Sequence, residues 1–172
     1  DSFKSAGIAI DDKFVENIKT AKGKNIKGVV NYTTKEGESI LVKVGISSVS
    51  IEGAKKNLEA ENSAWNFDEI KNEAKQLWEN HLSKIEVEGG TEKQRRIFYT
   101  SLYHTAMAPV TLNDVDGKYR GGDWKIHEAK GFTRYTVWSL WDVFRTQMPL
   151  YTILEPSRMN DYMLSLIHIS EP

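Results

Sequence analysis

The side chains best suited to binding or catalysis are aromatic and charged residues in the second half of the chain. In order along the sequence they are Tyr119, Arg120, Trp124, Trp138, Trp141, Asp142 and Arg145. An indole can stack on a sugar ring while charged groups bond the hydroxyls, so this mixture is typical of carbohydrate binding. The spacing also fits a structural role, with Trp138 and Trp141 on one buried helix face and Asp142 capping that helix beside Arg145. The residues alone leave both interpretations open.

The other reactive side chains lack the spacing of a known catalytic or metal site. The four histidines, His81, His104, His127 and His168, form no HExxH pattern. We expect His81 and His104 to be partly buried helix residues. The absence of cysteine excludes a thiolate ligand or nucleophile, and no GxSxG or phosphate-binding loop occurs.

Residues 114–117, Asp-Val-Asp-Gly, resemble part of a calcium-binding loop. The EF-hand pattern would require a further Asp or Asn before its glycine and an acid where Lys125 stands. Asp-Gly is a strong turn signal, because glycine accepts a positive φ and the Asp side chain can bond its own backbone. The segment therefore predicts a tight turn.

The first fifty residues carry the pattern of β-strands. Apolar residues over 26–32 lead into a glycine-bearing turn, and alternating Ile40, Val42, Val44 and Ile46 follow, which predicts a β-hairpin. The stretch from Gly7 to Thr20 predicts one or two further strands. Near Gly53 the period changes to that of helices.

Helices dominate the remainder and are interrupted by a small sheet. The patterns predict a helix over 54–61, an amphipathic helix over 67–85 capped by Asn66, and a helix over 91–106 opened by a Thr91–Gln94 capping box. Strand candidates lie at 118–120, 124–127 and 133–137. A helix over 140–150 should open at a Ser139–Asp142 capping box and be kinked or ended by Pro149, and Pro156 should open a further short helix. The order of elements indicates an α+β fold.

Charge and hydropathy limit the partners of the chain. Its 23 basic and 24 acidic residues give a net charge of −1, which supplies no field for nucleic acid or an anionic membrane. No run approaches the ~20 apolar residues of a membrane span. The sequence begins without Met, and we expect its natural start to lie upstream.

Four blocks of sequence resemble glycoside hydrolase family 92, the α-mannosidases. They are Val44-Gly45-Ile46-Ser47-Ser48-Val49-Ser50 with Ala54 to Glu61, Arg96 to His104, Asp114 to Gly121, and Tyr135 to Arg145. The resemblance runs from roughly Ile26 to Met163. It implies a multidomain fragment with the terminal strands of a β-sandwich over 1–53, linker helices over 54–88 and the first helices of an (α/α)6 toroid over 89–164.

The resemblance also implies an activity. Members of this family are exo-acting, calcium-dependent, inverting enzymes that remove terminal α-linked mannose, such as α-1,2, from N-glycans or mannans. By position Trp141 and Asp142 would bind the mannose, and Trp138 and Arg145 would support them. The catalytic carboxylates and most calcium ligands would lie outside the chain, which alone should be inactive and hold no calcium. A bacterial periplasmic, secreted or cell-surface location is implied.

Two further interpretations stay open at this point. Residues 165–172 resemble the translated read-through of a sequencing adapter and are predicted to be non-native, the alternative being a natural tail with Leu164, Ile167 and Ile169 packed on the toroid. In place of an incomplete glycosidase, the chain could be a noncatalytic carbohydrate-binding or interaction module. The oligomeric state is not predicted.

Overall fold

A computed structural model of the chain describes residues 3–136 and 138–170, and side chains as far as residue 167. The fold is α+β, as predicted. Strands are β1 Ser5–Ile10, β2 Lys13–Glu16, β3 Ile26–Asn31, β4 Lys118–Arg120 and β5 Ile126–Glu128. Helices are α1 Ile51–Glu61, α2 Phe67–Leu82, α3 Glu92–Thr105, α4 Leu140–Val143, α5 Gln147–Leu154 and α6 Pro156–Ser170. The chain forms two units, Asp1–Ile40 and Leu41–Pro172, which are described separately.

The first unit is an antiparallel sheet with strand order β2-β1-β3. Ile8 of β1 pairs with Val15 of β2 on one side and with Gly28 of β3 on the other. β1 and β2 confirm the strands predicted between Gly7 and Thr20.

The predicted hairpin is wrong in its second half. Its turn forms, since the Glu38 amide donates to the Lys35 carbonyl at 3.1 Å, but β3 pairs with β1 instead. Residues 40–46 form no strand, and Val44 and Ile46 are 76% and 80% exposed. An alternating apolar pattern is local, whereas a strand also needs a neighbour for its backbone groups. Among the described residues this segment has no such neighbour.

The first three helices of the second unit begin at side-chain caps. Ser50 Oγ accepts from the Gly53 amide at 3.0 Å, so α1 begins three residues before the predicted Ala54. Asn66 caps α2, and Thr91 with Gln94 forms the full capping box of α3. The caps predicted at Asn66 and Thr91 are confirmed, because each motif places an acceptor on the unpaired amides of a first helical turn. The apolar face predicted for α2 is present but contributes no buried residue.

Residues 114–117 form the predicted tight turn. The Gly117 amide donates to the Asp114 carbonyl at 2.8 Å, and Gly117 has a φ of 83°. The turn leads into a hairpin of β4 and β5, which confirms two of the predicted strands. The third, over 133–137, is reduced to a single bridge between Thr111 and Tyr135, and Val137 lies outside the described residues.

The last helices differ from the prediction. The expected helix over 140–150 is divided into α4 and α5, and Ser139 makes no side-chain cap bond. Pro149 is the third residue of α5, where no backbone donor is needed, so it neither kinks nor ends the helix. Pro156 opens α6 as predicted, but α6 is longer than expected and continues to Ser170. The origin of residues 165–172 stays a prediction.

A cluster of tyrosines forms the main buried core of the second unit. Tyr135, Tyr151 and Tyr162 are 8%, 2% and 3% exposed, and Trp138, Met148 and Met159 pack against them. The Tyr135 and Tyr162 rings meet edge to face at 4.6 Å, a favoured aromatic geometry. The cluster connects the segment before α4 with α5 and α6. No described helix is long and apolar enough to cross a membrane.

Candidate functional site

Trp141 and Asp142 lie on α4, a single helical turn that leaves both side chains accessible. Trp141 is 85% exposed, and Asp142 is also exposed. The turn is closed by backbone bonds, from the Asp142 amide to the Ser139 carbonyl at 3.2 Å and from the Phe144 amide to the Leu140 carbonyl at 3.0 Å. An accessible indole beside an accessible carboxylate offers a sugar one stacking surface and one strong hydrogen-bond acceptor.

Within the described residues, the contacts that the structural interpretation requires of Trp141 and Asp142 are not seen, and the choice between the two interpretations stays a prediction. Trp141 is not a core residue, and no ion pair joins Asp142 to Arg145 among the described residues. Arg145 is exposed, with its guanidinium carbon 5.3 Å from the centre of the Phe144 ring. Trp141, Asp142 and Arg145 are thus all exposed, and we call the three together the α4 surface.

Trp138 is placed differently from the other three predicted site residues. It precedes α4, is half-buried, and its ring meets Tyr162 at 5.6 Å in an edge-to-face contact. Its indole nitrogen is buried without a hydrogen-bond acceptor in the structure. Trp138 thus contacts the tyrosine cluster rather than the α4 surface.

A buried carboxylate that the sequence did not single out joins three elements. Glu155, whose side chain is 8% exposed, accepts from Lys84 Nζ at 2.5 Å and lies 3.2 Å from His81 Nδ1. Arg158 Nε of α6 lies 3.7 Å from its other oxygen. These contacts span 71 and 74 residues of sequence for Lys84 and His81, so no local pattern could have indicated them. We call Glu155 with Lys84, His81 and Arg158 the Glu155 cluster.

The electrostatics of the Glu155 cluster favour an ionised carboxylate. Burial raises the pKa of Glu155, but the Lys84 hydrogen bond and the Arg158 charge outweigh it, so the pKa lies below its ordinary value. A general acid must hold a proton near neutral pH. Glu155 is therefore suited to connecting elements rather than to donating a proton. The cluster borders a cavity of about 380 Å³ that Trp78, Tyr151 and Tyr162 also line.

A second buried carboxylate joins two of the four sequence blocks. Asp114, 2% exposed, accepts from Ser47 Oγ at 2.6 Å and from Asn57 Nδ2 at 2.8 Å. The Asn57 side-chain oxygen in turn accepts from the Val115 amide at 2.9 Å. Both side-chain oxygens of this buried carboxyl group thus have hydrogen-bond partners.

The histidines hold no common site. His81 is partly buried as predicted, but the prediction is wrong for His104, which is exposed on α3. His127 pairs with Asp123 at 2.9 Å on the hairpin, and the side chain of His168 lies outside the described residues. Within residues 3–136 and 138–167, no group of three His, Asp or Glu side chains could hold a metal ion. The carboxylates of the described residues are therefore not grouped as a calcium site would require.

Comparison with known proteins gives one consistent family. The family model described as glycosyl hydrolase family 92 catalytic domain matches residues 53–172. The solved structure of the family GH92 α-mannosidase BT3965 from Bacteroides thetaiotaomicron is similar over 96% of this chain, with 32% identity and a TM-score of 0.83. Its complex with mannoimidazole matches at 30% identity over 97% of this chain, again with a TM-score of 0.83.

A second mannosidase from the same organism extends the comparison. The family GH92 inverting mannosidase BT2199 is 25% identical over 96% of this chain, with a TM-score of 0.76. In each of these three structures the match covers 23% of the longer chain. No curated protein matches the chain.

Proposed function

Because this chain belongs to glycoside hydrolase family 92, we propose that it is part of an exo-acting, inverting α-mannosidase that removes terminal α-linked mannose, such as α-1,2, from N-glycans or mannans. The similar structures support mannose as the sugar, since they are α-mannosidases, among them an inverting mannosidase and a complex with mannoimidazole. By the same membership we propose calcium dependence for the full-length enzyme and a periplasmic, secreted or cell-surface location.

The observation that carries a substrate role for this chain is the α4 surface. We assign Trp141 to stacking on the apolar face of the mannose ring and Asp142 to accepting hydrogen bonds from its hydroxyls. A hydrogen bond to a charged group contributes about 1.5–3 kcal/mol net. Arg145 supports the surface from the same segment, and Trp138 supports it from the tyrosine cluster.

The chemical step requires groups that we place elsewhere in the full-length enzyme. An inverting glycosidase uses an acid and a base carboxyl about 6.5–9.5 Å apart, with the attacking water between them. Neither buried carboxylate described above fits. Asp114 is enclosed by hydrogen bonds. Glu155 is held ionised, which does not suit an acid, and its oxygens face Lys84, His81 and Arg158 rather than a water, which does not suit a base. The chain covers 23% of its mannosidase relatives, so we place both catalytic groups in the remaining part of such a polypeptide.

The substrate role of Asp142 is tested in the full-length enzyme by Asp142→Asn. We expect kcat/KM for an α-1,2-linked mannobiose to fall about 10- to 100-fold, which corresponds to one lost charge-assisted contact. Asp68→Asn, at an exposed first-turn residue of α2, is the matched control and should leave kcat/KM unchanged. Equal kcat/KM in the Asp142 variant and the control would contradict the assignment.

The isolated chain separates the proposed glycosidase from the alternative. We expect no mannose release from the disaccharide by the isolated chain, and detectable release would contradict a catalytic pair outside it.

The 85% exposure of Trp141 favours, as a second candidate, a noncatalytic carbohydrate-binding module. That function predicts a shift of tryptophan fluorescence when mannosides are added, and Trp141→Ala should abolish the shift.

A further inference from the structure

The α4 surface lies on a very short helix. α4 has only four residues, and a single helical turn is not stable in isolation. Nevertheless, a carboxylate that binds a sugar must be held in one position if its hydrogen bonds are to contribute to affinity. The contacts that hold the two ends of this turn therefore decide whether Asp142 can bind.

Downstream, the turn is held by the first residue of α5. Gln147 Nε2 donates to the carbonyl oxygens of Thr105 at 2.7 Å and Ala108 at 2.8 Å. Thr105 is the last residue of α3, whose final carbonyls have no partner within the helix. One side-chain amide thus closes the end of α3 and attaches α5 to it.

Tyr151 strengthens the same attachment one turn later. Its hydroxyl donates to the Thr105 carbonyl, and the residue is 2% exposed. Burial raises the pKa of the Tyr151 hydroxyl, which keeps it protonated as a donor. Two side chains of α5 therefore converge on the Thr105 carbonyl.

Upstream, the turn is held by the same stretch of chain. The Thr136 amide donates to the Val110 carbonyl at 2.8 Å, and the Val110 amide donates to Thr136 Oγ1 at 3.1 Å. Trp138, two residues later, packs against the tyrosine cluster. The chain four residues before α4 and the chain four residues after it thus both bond to residues 105–110, the segment that leaves α3.

We propose that Gln147 is a positioning residue for the α4 surface, which fixes Asp142 for the sugar by attaching the downstream end of the turn to the Thr105 and Ala108 carbonyls. The inference rests on the proposed substrate role of Asp142. Gln147 itself lies past the turn and is not expected to contact substrate. It should act on sugar binding only through the placement of Asp142.

The first test measures the turn directly by amide hydrogen exchange, with no need for activity. Gln147→Met keeps the length of the side chain and removes both donated bonds. In the isolated chain, exchange over residues 139–146 should accelerate about 5-fold or more, since protection reports local opening. Gln76→Met, which removes a bond from Gln76 to Asn80 within α2, is the matched control and should leave exchange over 139–146 unaltered. Unaltered exchange in the Gln147 variant overturns the proposal.

The second test asks whether Gln147 acts through Asp142 in the full-length enzyme. We expect Gln147→Met to raise KM for the mannobiose about 5- to 10-fold with kcat within about 2-fold, the pattern of lost substrate binding. In an Asp142→Asn background the same change should leave KM for the mannobiose unaltered. A residue that acts only through Asp142 has no effect once that carboxylate is lost. Effects that multiply in the double variant overturn the proposal.

The outcomes separate this inference from the function on which it rests. If Asp142→Asn has no effect on mannose release, the proposed substrate role fails, whatever the exchange experiment gives. If Asp142→Asn weakens substrate binding and Gln147→Met leaves KM at the wild-type value, the substrate role stands and the positioning proposal fails.

Discussion

At the level of single residues, Gly53 permits a close approach between two parts of the second unit. A Cβ at this position would lie 2.2 Å from Asp114 Oδ2 and 2.7 Å from Ser47 Oγ. Neither neighbour can move away easily, because they are bonded to each other at 2.6 Å and Asp114 is also held by Asn57. Glycine is therefore required here for space rather than for an unusual φ.

Replacing this glycine should destabilise the second unit. We expect Gly53→Ala to lower the free energy of unfolding by about 2 kcal/mol, within the usual range for overpacking. The measurement is chemical denaturation followed by far-ultraviolet circular dichroism. Gly122→Ala is the control, since no atom lies within 4 Å of a Cβ at that site. The steric argument fails if the two variants unfold at the same denaturant concentration.

The substrate roles of Trp141 and Asp142 stay a prediction, taken from local sequence. Trp141 and Asp142 were predicted from a continuous block of sequence, and the structure exposes both side chains. Spacing alone left Trp141 open to a core role, because a three-residue interval does not reveal that α4 ends after one turn. Glu155 and Gln147 were missed because the partners of their side-chain hydrogen bonds lie between 39 and 74 residues away.

At the level of elements, the Glu155 cluster connects the end of α2 to the junction of α5 and α6. Lys84 Nζ reaches both the Glu155 carboxylate and, at 3.2 Å, the Leu154 carbonyl. The second contact satisfies a carbonyl at the end of α5. One ionised side chain therefore holds three helices together, and their association should depend on its charge.

Protonation of Glu155 should weaken this association in acid. Its folded-state pKa is lowered, so its stabilisation is fully present above its ordinary pKa of 4.5 and is lost as the pH falls through the folded-state value. Glu155→Gln should lower the free energy of unfolding by about 2 kcal/mol at neutral pH. The difference from wild type should shrink below pH ~4.

Thermal unfolding between pH 3 and 7 checks this prediction. Glu92→Gln is the control, because Glu92 forms an ion pair with Arg96 within α3 in which both side chains are at least 77% exposed. Such a pair contributes little, so its removal should leave the pH profile unaltered. A constant difference between wild type and Glu155→Gln across the range would contradict the role assigned to the charge.

The caps illustrate why elements were easier to predict than their pairing. Asn66 and Thr91 bond amides three residues away, so the first residues of α2 and α3 follow from adjacent sequence. Thr91→Ala should accordingly lower the free energy of unfolding by about 1 kcal/mol, as measured by chemical denaturation. Thr100→Ala is the control, because Thr100 lies in the middle of α3 and has no capping role. The failed hairpin required a partner strand that no local pattern specifies.

At the level of the whole molecule, the second unit presents much apolar surface to solvent. The most exposed large side chains of its helices α2 and α3 include Phe67 at 67%, Leu77 at 70% and Ile97 at 56%. Soluble monomers rarely leave large contiguous apolar patches uncovered. This chain covers 23% of the chain of a family α-mannosidase. Under the proposed function, we expect the remaining part of the full-length enzyme to cover these apolar side chains.

The exposed face of α2 should bind an apolar dye in the isolated chain. We expect 1-anilinonaphthalene-8-sulfonate fluorescence to rise when the dye is added in native conditions. Leu77→Gln should reduce this fluorescence by about a third. The same change should lower the free energy of unfolding by no more than about 0.5 kcal/mol, because Leu77 is exposed. Lys75→Gln, at a polar exposed position of the same helix, should leave the fluorescence unchanged. Dye emission that is insensitive to Leu77 would show that this face is covered.

The fold class was predictable because the change of period near Gly53 and the order of the four blocks are properties of the sequence itself. Family membership shows the enzyme class, whereas periodicity indicates only helices and strands. The division of the chain at Ile40 and Leu41 was not predicted, since it depends on which strands pair.

The strand order β2-β1-β3 leaves β2 and β3 as the outer strands of the first unit. No described strand pairs with their outward sides, and Val30 of β3 is 50% exposed. A free β edge is a template on which a strand from another molecule can add. Lys13 and Glu16 place charges on β2, whereas the charge of Lys27 on β3 is paired with Asp12 at 2.6 Å. Handling of the chain at high protein concentration therefore favours edge-to-edge aggregation through β3.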